Sequence, residues 1–194
     1  MPWNAEHKAR TRARIVDAAR RLFNRHGFQE VTIERIMTAA GLTRGGFYHH
    51  FDSKDALYAE AVASYATCNP FVRGQRTRKR PPGDPRLLAR SMVRLYLSDE
   101  VLADDGLHCP LYALPSDIAR AGPSPRAAYT ALIRGMMRIH RRALAGARDA
   151  DRRAQAIVSL CVGGMVLART TSDPALCASL RRAARRQALA LLDG

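Results

Sequence analysis

The sequence predicts an all-α protein in two parts: an N-terminal three-helix unit containing a helix-turn-helix, followed by a larger helical domain. Three observations carry this expectation. Ala, Leu and Arg dominate a chain of 194 residues with only 6% aromatics, a mix that suits helices better than strands. Apolar residues recur at three- and four-residue spacings in one segment after another. No convincing period-2 alternation, the mark of a half-buried strand, is present. With 47% hydrophobic and 25% charged residues, the chain has globular composition and can bury a sizeable core.

The first helix is expected over Thr11 to Phe28. Ile15, Ala18, Ala19, Leu22, Phe23 and His26 form one face of it, and arginines occupy the other faces. Gly27 sits where a left-handed residue would end the helix. Thr32 can cap a second, short helix whose buried stripe is Ile33, Ile36 and Ala40, and Gly41 stops it. Thr43 can cap a third, from Arg44 to about His50, with Phe47 and Phe51 facing inward. Ser53 caps a fourth, Asp55 lies in its first turn where a negative charge suits the dipole, and Leu57, Ala61 and Tyr65 continue its apolar face.

The pattern then stops. Arg73, Arg76, Arg78, Lys79 and Arg80 precede Pro81-Pro82-Gly83-Asp84-Pro85, which reads as a linker. Beyond it, helices are expected over Arg86 to Leu97 and over Pro110 to Ala121, the latter broken or kinked at Pro115. Another lies near Asp151 to Arg169. Ser124-Pro125 and Asp173-Pro174 are cap-plus-proline starts for helices of about Pro125 to Ala145 and Pro174 to Leu192. The expected domains are therefore 1–65 and 86–194, joined by a linker of about 66–85.

The charge balance points to a partner. Lys and Arg number 32 against 17 Asp and Glu, a formal net charge of +15. Such a surplus suits a polyanion, most commonly nucleic acid, although a base-composition bias toward Arg codons is the competing account. No apolar stretch approaches the roughly 18 residues of a membrane span. The N-terminus is basic with no apolar run behind it, unlike a secretory signal. Four scattered cysteines without CxxC pairing argue against a zinc module or a disulfide framework. The expectation is a cytoplasmic protein with reduced thiols, no metal and no cofactor.

Function is expected between Thr32 and Lys54. Two short helices separated by Gly41-Leu42-Thr43 make a helix-turn-helix, in which the second helix enters the DNA major groove. Gly45 and Gly46 inside that helix each cost about 1 kcal/mol relative to Ala, which makes sense where a bulkier side chain would obstruct the duplex. A loop is the alternative for this stretch.

The run Gly41-Leu42-Thr43-Arg44-Gly45-Gly46-Phe47-Tyr48-His49-His50-Phe51, followed by Ser53-Lys54-Asp55-Ala56-Leu57, resembles the signature of TetR-family (TetR/AcrR-like) transcriptional regulators. The upstream apolar pattern from Ile15 to Gly41 is similar to that family's first two helices. The resemblance covers about residues 11–65, with Gly46 and Asp52 departing mildly from the commonest choices. It implies that Thr43 and Tyr48 bond phosphates or bases, that Arg44 is aimed into the groove, and that Lys54 binds phosphate. The chemistry agrees, since Arg44 can bond guanine O6 and N7 together and Tyr48 offers a phenolic donor. His49 is either a further contact or an exposed helix-end residue, while Thr32 and Arg35 suit the flanking backbone.

A two-fold dimer would set two such helices about 34–36 Å apart, or a multiple, on a palindromic operator of double-stranded DNA. Val162, Gly163, Gly164, Met165, Leu176, Leu180, Ala183 and Leu189 are candidates for the homodimer contact, or else complete the monomer core. The resemblance implies pairing through the last two helices. It also implies a C-terminal domain that binds a small-molecule effector, whose binding releases a repressor from its operator. Candidate pocket residues are Met92, Tyr96, Cys109, Leu111, Tyr112, Tyr129, Met136, Met137 and His140, although such a methionine stripe also reads as plain core. Cys109, before a helix start and beside His108, is a candidate thiol sensor of oxidants or electrophiles. An enzyme using Cys109 with His108 or His140 is a further class, but no orienting carboxylate, nucleophile elbow or phosphate loop accompanies them. A non-specific DNA coater would explain the charge but not the pattern of residues 32–54.

Overall fold

The computed structural model describes residues 2–72, 83–104 and 108–194, and these contain helices and no strand. The five cations of the basic linker, together with Pro81 and Pro82, lie outside the described residues, as does the Gly106-Leu107 step before His108. The helices are α1 (Pro2–Glu30), α2 (Ile33–Ala39), a 3-10 helix (Arg44–His49), α3 (Lys54–Cys68), α4 (Pro85–Tyr96), α5 (Asp99–Ala103), α6 (Pro110–Ala113), α7 (Pro115–Arg120), α8 (Pro123–Ala143), α9 (Ala150–Thr170) and α10 (Pro174–Asp193). No helix among the described residues is long and apolar enough to cross a membrane.

Two compact units emerge, one formed by Met1–Tyr65 with Asp105–Ala131, the other by Ala66–Asp104 with Leu132–Gly194. The stretch 105–131 thus groups by contact with the N-terminal helices, although it lies beyond the linker in sequence. Two hydrogen bonds tie it there. Asn24, 3% exposed, donates its Nδ2 to the His108 carbonyl at 2.6 Å, and the Phe28 amide donates to Asp117 Oδ2 at 3.1 Å.

In the first unit, α1 begins well before the expected Thr11 and buries Ile15, Ala19 and Phe23. Gly27 interrupts it with φ 77° and ψ 171°, and helical turns resume to Glu30. This is not the left-handed helix stop that was expected. It is a conformation open essentially to glycine alone, and a Cβ there would stand 2.9 Å from Asp117 Oδ2. The missing side chain makes room for the carboxylate that accepts from the next amide. Thr32 caps α2 as expected, its hydroxyl accepting from Arg35 N at 3.1 Å. Gly41 (φ 66°) turns the chain, and the Leu42 amide returns to the Met37 carbonyl at 2.9 Å. Ser53 caps α3 by accepting from Ala56 N at 3.0 Å. Phe23, Phe28 and Tyr58 then form a cluster with ring centroids 4.7–5.7 Å apart. Burial there holds the Tyr58 phenol well above its ordinary range.

In the second unit, Asp84 caps α4 (Arg86 N, 2.8 Å) and Asp173 caps α10 (Ala175 N, 2.8 Å; Leu176 N, 3.1 Å), each followed by proline at the first helical position. The helix expected to start at Ser124-Pro125 starts instead at Pro123, two residues before Pro125. Helices α9 and α10 pack closely at Gly164, where a Cβ would lie 2.7 Å from Ala184 Cβ and 3.3 Å from Leu97 Cδ2. Arg181 is only 6% exposed, donating to the Leu97 carbonyl at 3.3 Å and pairing with Asp99. Asp99 is thereby held below the usual carboxylate range, chiefly by that hydrogen bond. Arg153 grips the Leu191 carbonyl through Nε at 2.7 Å, and Arg90 pairs with Asp193.

Candidate nucleic-acid interface

The segment from Arg44 to His49 follows directly on the α2 turn. It is a 3-10 helix of six residues, not the α-helix that was expected. Two adjacent glycines remove the propensity that would favour the wider coil. The bonds run three residues back, Gly46 N to Thr43 O at 3.1 Å and His50 N to Phe47 O at 2.9 Å, before Phe51 N closes a four-residue step on Phe47 O at 3.1 Å. Thr43 does not cap it through its side chain, which leaves that exposed hydroxyl outside the fold's own cap.

The segment has a buried side and an open side. Phe47 and Phe51 are 0% and 2% exposed and stack at 5.7 Å, as expected of core residues. Gly46 lies over Met37, whose Cε would be 3.6 Å from an added Cβ. On the open side stand Thr43, Arg44, Gly45, Tyr48 and His49. Tyr48 is 66% exposed, the largest value among the exposed large hydrophobic residues, and its ring meets Phe47 edge-on at 5.2 Å. A Cβ added at Gly45 would meet nothing within 4 Å. An exposed phenol, an unpaired guanidinium, a hydroxyl and an imidazole thus share one short surface anchored by buried aromatic rings.

The flanking residues are more engaged. Arg35 is exposed and its Nη2 meets His26 Nε2 at 2.8 Å. Lys54 opens α3 but reaches back, donating its Nζ to the Phe28 carbonyl at 2.5 Å and lying 4.1 Å over the Phe28 ring. Partial burial lowers its pKa, opposed by Asp55 and Asp117. One of its three N–H donors is therefore committed to the protein. His50 is held below its ordinary pKa by burial, then by the nearby charges of Lys8, Arg12 and His49.

Sequence reasoning missed several residues that build this surface. Arg12 forks onto Glu60 (Nε to Oε1, 3.1 Å; Nη2 to Oε2, 2.5 Å), donates to the His50 carbonyl and covers the Phe51 ring at 4.0 Å. Arg14 donates to the Ala40 carbonyl at 2.6 Å, satisfying the end of α2. Both arginines read as solvated faces of α1, and their partners lie too far along the sequence for any local signal.

The other candidate residues divide between the two units. In the first, Cys109, Leu111 and Tyr112 are buried, and Tyr129 donates its hydroxyl to the Leu111 carbonyl at 2.7 Å, its pKa pushed up to about 12 by burial. Cys109 and His108 are 2% and 1% exposed, so the thiol is shut away from solvent. In the second, Tyr96 and Met136 are buried and Met92 and Met137 half-buried. His140 is fully buried with neither ring nitrogen hydrogen-bonded, and burial lowers its pKa to about 4. Cys161, also buried, is pushed up to about 12. Among the described residues no group of three or more His, Cys, Asp or Glu could hold a metal ion.

Of the residues expected at a subunit contact, Gly164 and Met165 are internal to this chain. Val162, Gly163, Leu180 and Leu189 are half-buried, and Leu176 and Ala183 are exposed. Leu167, which the sequence reading passed over, is 52% exposed on α9, beside 46% for Leu176 on α10.

Comparison with known proteins gives a consistent picture. Residues 15–61 match the family described as bacterial regulatory proteins, tetR family. The chain is similar to the HTH-type transcriptional repressor Rv1474c of Mycobacterium tuberculosis, 43% identical over 53 residues (27% of this chain, 28% of that protein). It is also similar to the HTH-type transcriptional repressor AcnR of Corynebacterium glutamicum, 31% identical over 101 residues (48% and 52%). The matched region thus spans from about a quarter to about half the length of these relatives. In fold, it resembles a TetR transcriptional regulator from Chloroflexus aurantiacus, with a TM-score of 0.77 at 24% identity over 97% of this chain and 96% of that one.

Proposed function

We infer, from the match of residues 15–61 to the tetR family of bacterial regulatory proteins, that this chain is a sequence-specific DNA-binding transcriptional regulator. Its action is repression, relieved when a small-molecule effector binds the helical C-terminal domain. The observation that carries the reading is the open side of the Arg44–His49 segment. An exposed guanidinium and a largely exposed phenol stand on a base of buried phenylalanines. Arg44 supplies the bidentate donor pair that reads guanine in the major groove. Thr43, Tyr48 and His49 supply donors for phosphates and base edges, and Lys54 keeps two N–H groups for a phosphate beside its bond to Phe28. Thr32, which caps α2, and Arg35 within it are exposed and suit the flanking backbone.

The protein acts as a homodimer through α9 and α10. Exposed Leu167 and Leu176, with open Gly163 and Ala183, support that contact. Two recognition segments then address a palindrome with half-sites one helical turn apart or a multiple of it. The role is binding, with no catalytic step assigned to any residue, and its place is the cytoplasm, where bacterial DNA lies. Selection of bound duplexes from a random pool tests the reading. A discrete inverted repeat is the expected result. Uniform coverage without a preferred sequence would make the chain a non-specific coater instead.

A further inference from the structure

We propose that Arg12 is the positioning residue of the recognition segment, locking its carboxyl end to α1 and α3 so that Arg44 and Tyr48 are presented in one orientation. The inference rests on the reading of that segment as the DNA-contacting element.

The need for such a lock follows from the segment itself. Six residues with two adjacent glycines in 3-10 geometry have little intrinsic stability, so their conformation must be imposed from outside. Arg12 supplies that constraint with every part of its head group. Nε and Nη2 form a two-pronged bond to the Glu60 carboxylate on α3, and Nη1 donates to the His50 carbonyl, the first residue past the segment. The flat face covers Phe51 at 4.0 Å. Phe51 stacks on Phe47, and Phe47 meets the Tyr48 ring edge-on. One side chain on α1 is thereby linked through two rings to the exposed phenol.

The geometry separates this role from two others. A phosphate ligand would keep its donors free, as exposed Arg44 does, whereas the Arg12 donors are turned onto the protein. A plain stabilising ion pair would not need the third bond or the ring, and with both side chains 40% exposed the pair adds little stability of its own. What the arrangement supplies is direction. The fork requires arginine, because a lysine ammonium is a single point that cannot bond both carboxylate oxygens and the carbonyl in one plane.

The test uses R12K and E60Q in the full-length protein. Affinity is measured for the selected operator and for a random duplex across a range of salt. Amide exchange is measured in the free protein. R12K should weaken operator binding by about tenfold while leaving random-duplex affinity and salt slope unchanged. It should also speed exchange at the Gly46, His50 and Phe51 amides, with Ile15 and Phe23 unaffected. E60Q should move the same quantities in the same direction by less, and R12K/E60Q should be no worse than R12K alone. A salt slope reduced by about one, with both duplexes weakened together, would make Arg12 a phosphate contact and overturn the proposal. Unchanged exchange at the three amides would overturn it as well. That second readout needs no operator, so it remains decisive even where selection finds no discrete site and the functional reading itself fails.

Discussion

Replacing His140 with leucine should alter the acid response of the fold by a calculable amount. In the folded chain the imidazole is fully buried, neither nitrogen has a hydrogen-bond partner, and burial lowers its pKa from 6.5 to about 4. In the unfolded chain it protonates near its ordinary value. Above pH 6.5 both states hold it neutral and its titration contributes nothing to pH dependence. Below 6.5 the unfolded state takes up a proton that the folded state refuses, so stability falls until the folded pKa near 4 is reached. A shift of about 2.5 units at 1.36 kcal/mol each amounts to about 3 kcal/mol, a large share of a typical total of about 5–15 kcal/mol. Leucine has similar bulk and no proton to gain. The variant should therefore be more stable than the parent at pH 7, by about 1–3 kcal/mol for the unsatisfied polar atoms removed, and its advantage should grow by about 3 kcal/mol on going to pH 4. Urea unfolding of both proteins at half-unit steps from pH 7.5 to 4.0 measures the difference directly, with other titrations cancelling between them. Parallel profiles would refute the reasoning, because they would mean that the imidazole is hydrated or paired in the native state.

Other outcomes are expected at single positions. Gly27→Ala should lower stability by about 2 kcal/mol in thermal unfolding, since it puts a side chain into a glycine-only conformation against the Asp117 carboxylate. Gly45→Ala should leave the melting of the free protein nearly unchanged, because its Cβ meets nothing, while weakening operator binding in a mobility-shift titration. Lys54→Ala should lower the salt slope of binding by about one for operator and random duplex alike; an unchanged slope with reduced thermal stability would make Lys54 only a latch on the Phe28 carbonyl. Arg44→Ala should instead relax base preference, costing about 1–3 kcal/mol at the guanine it reads, as measured by repeating the selection.

The features legible in the sequence are those whose partners lie within one turn. Thr32, Ser53 and Asp173 cap helices because a short polar side chain before an apolar run has only nearby amides to bond. The Phe47/Phe51 pair faces inward at the spacing of one helical face. What escaped depends on distant residues or on balanced choices. Arg12 meets Glu60 across 48 positions, and Asn24 meets the His108 carbonyl across 84. No pattern on α1 distinguishes these side chains from solvated ones. The tight coil of Arg44–His49 was hidden because threonine and phenylalanine placement suits an α-helix while the glycines disfavour it. For Gly164 the sequence left open a contact between chains or a place in the monomer core; Ala184 and Leu97, which pack against it, lie 20 and 67 positions away, beyond any local signal.

The division of labour along residues 44–51 has an evolutionary consequence. Positions that hold the segment down (Gly46 over Met37, Phe47, Phe51) alternate with positions exposed on its outer side (Arg44, Gly45, and the outer part of Tyr48). Mutations at the second set leave the scaffold intact. Under the proposed DNA-reading role, new target preferences are therefore reachable one codon at a time, without compensating repairs elsewhere, from any starting sequence that keeps the first set.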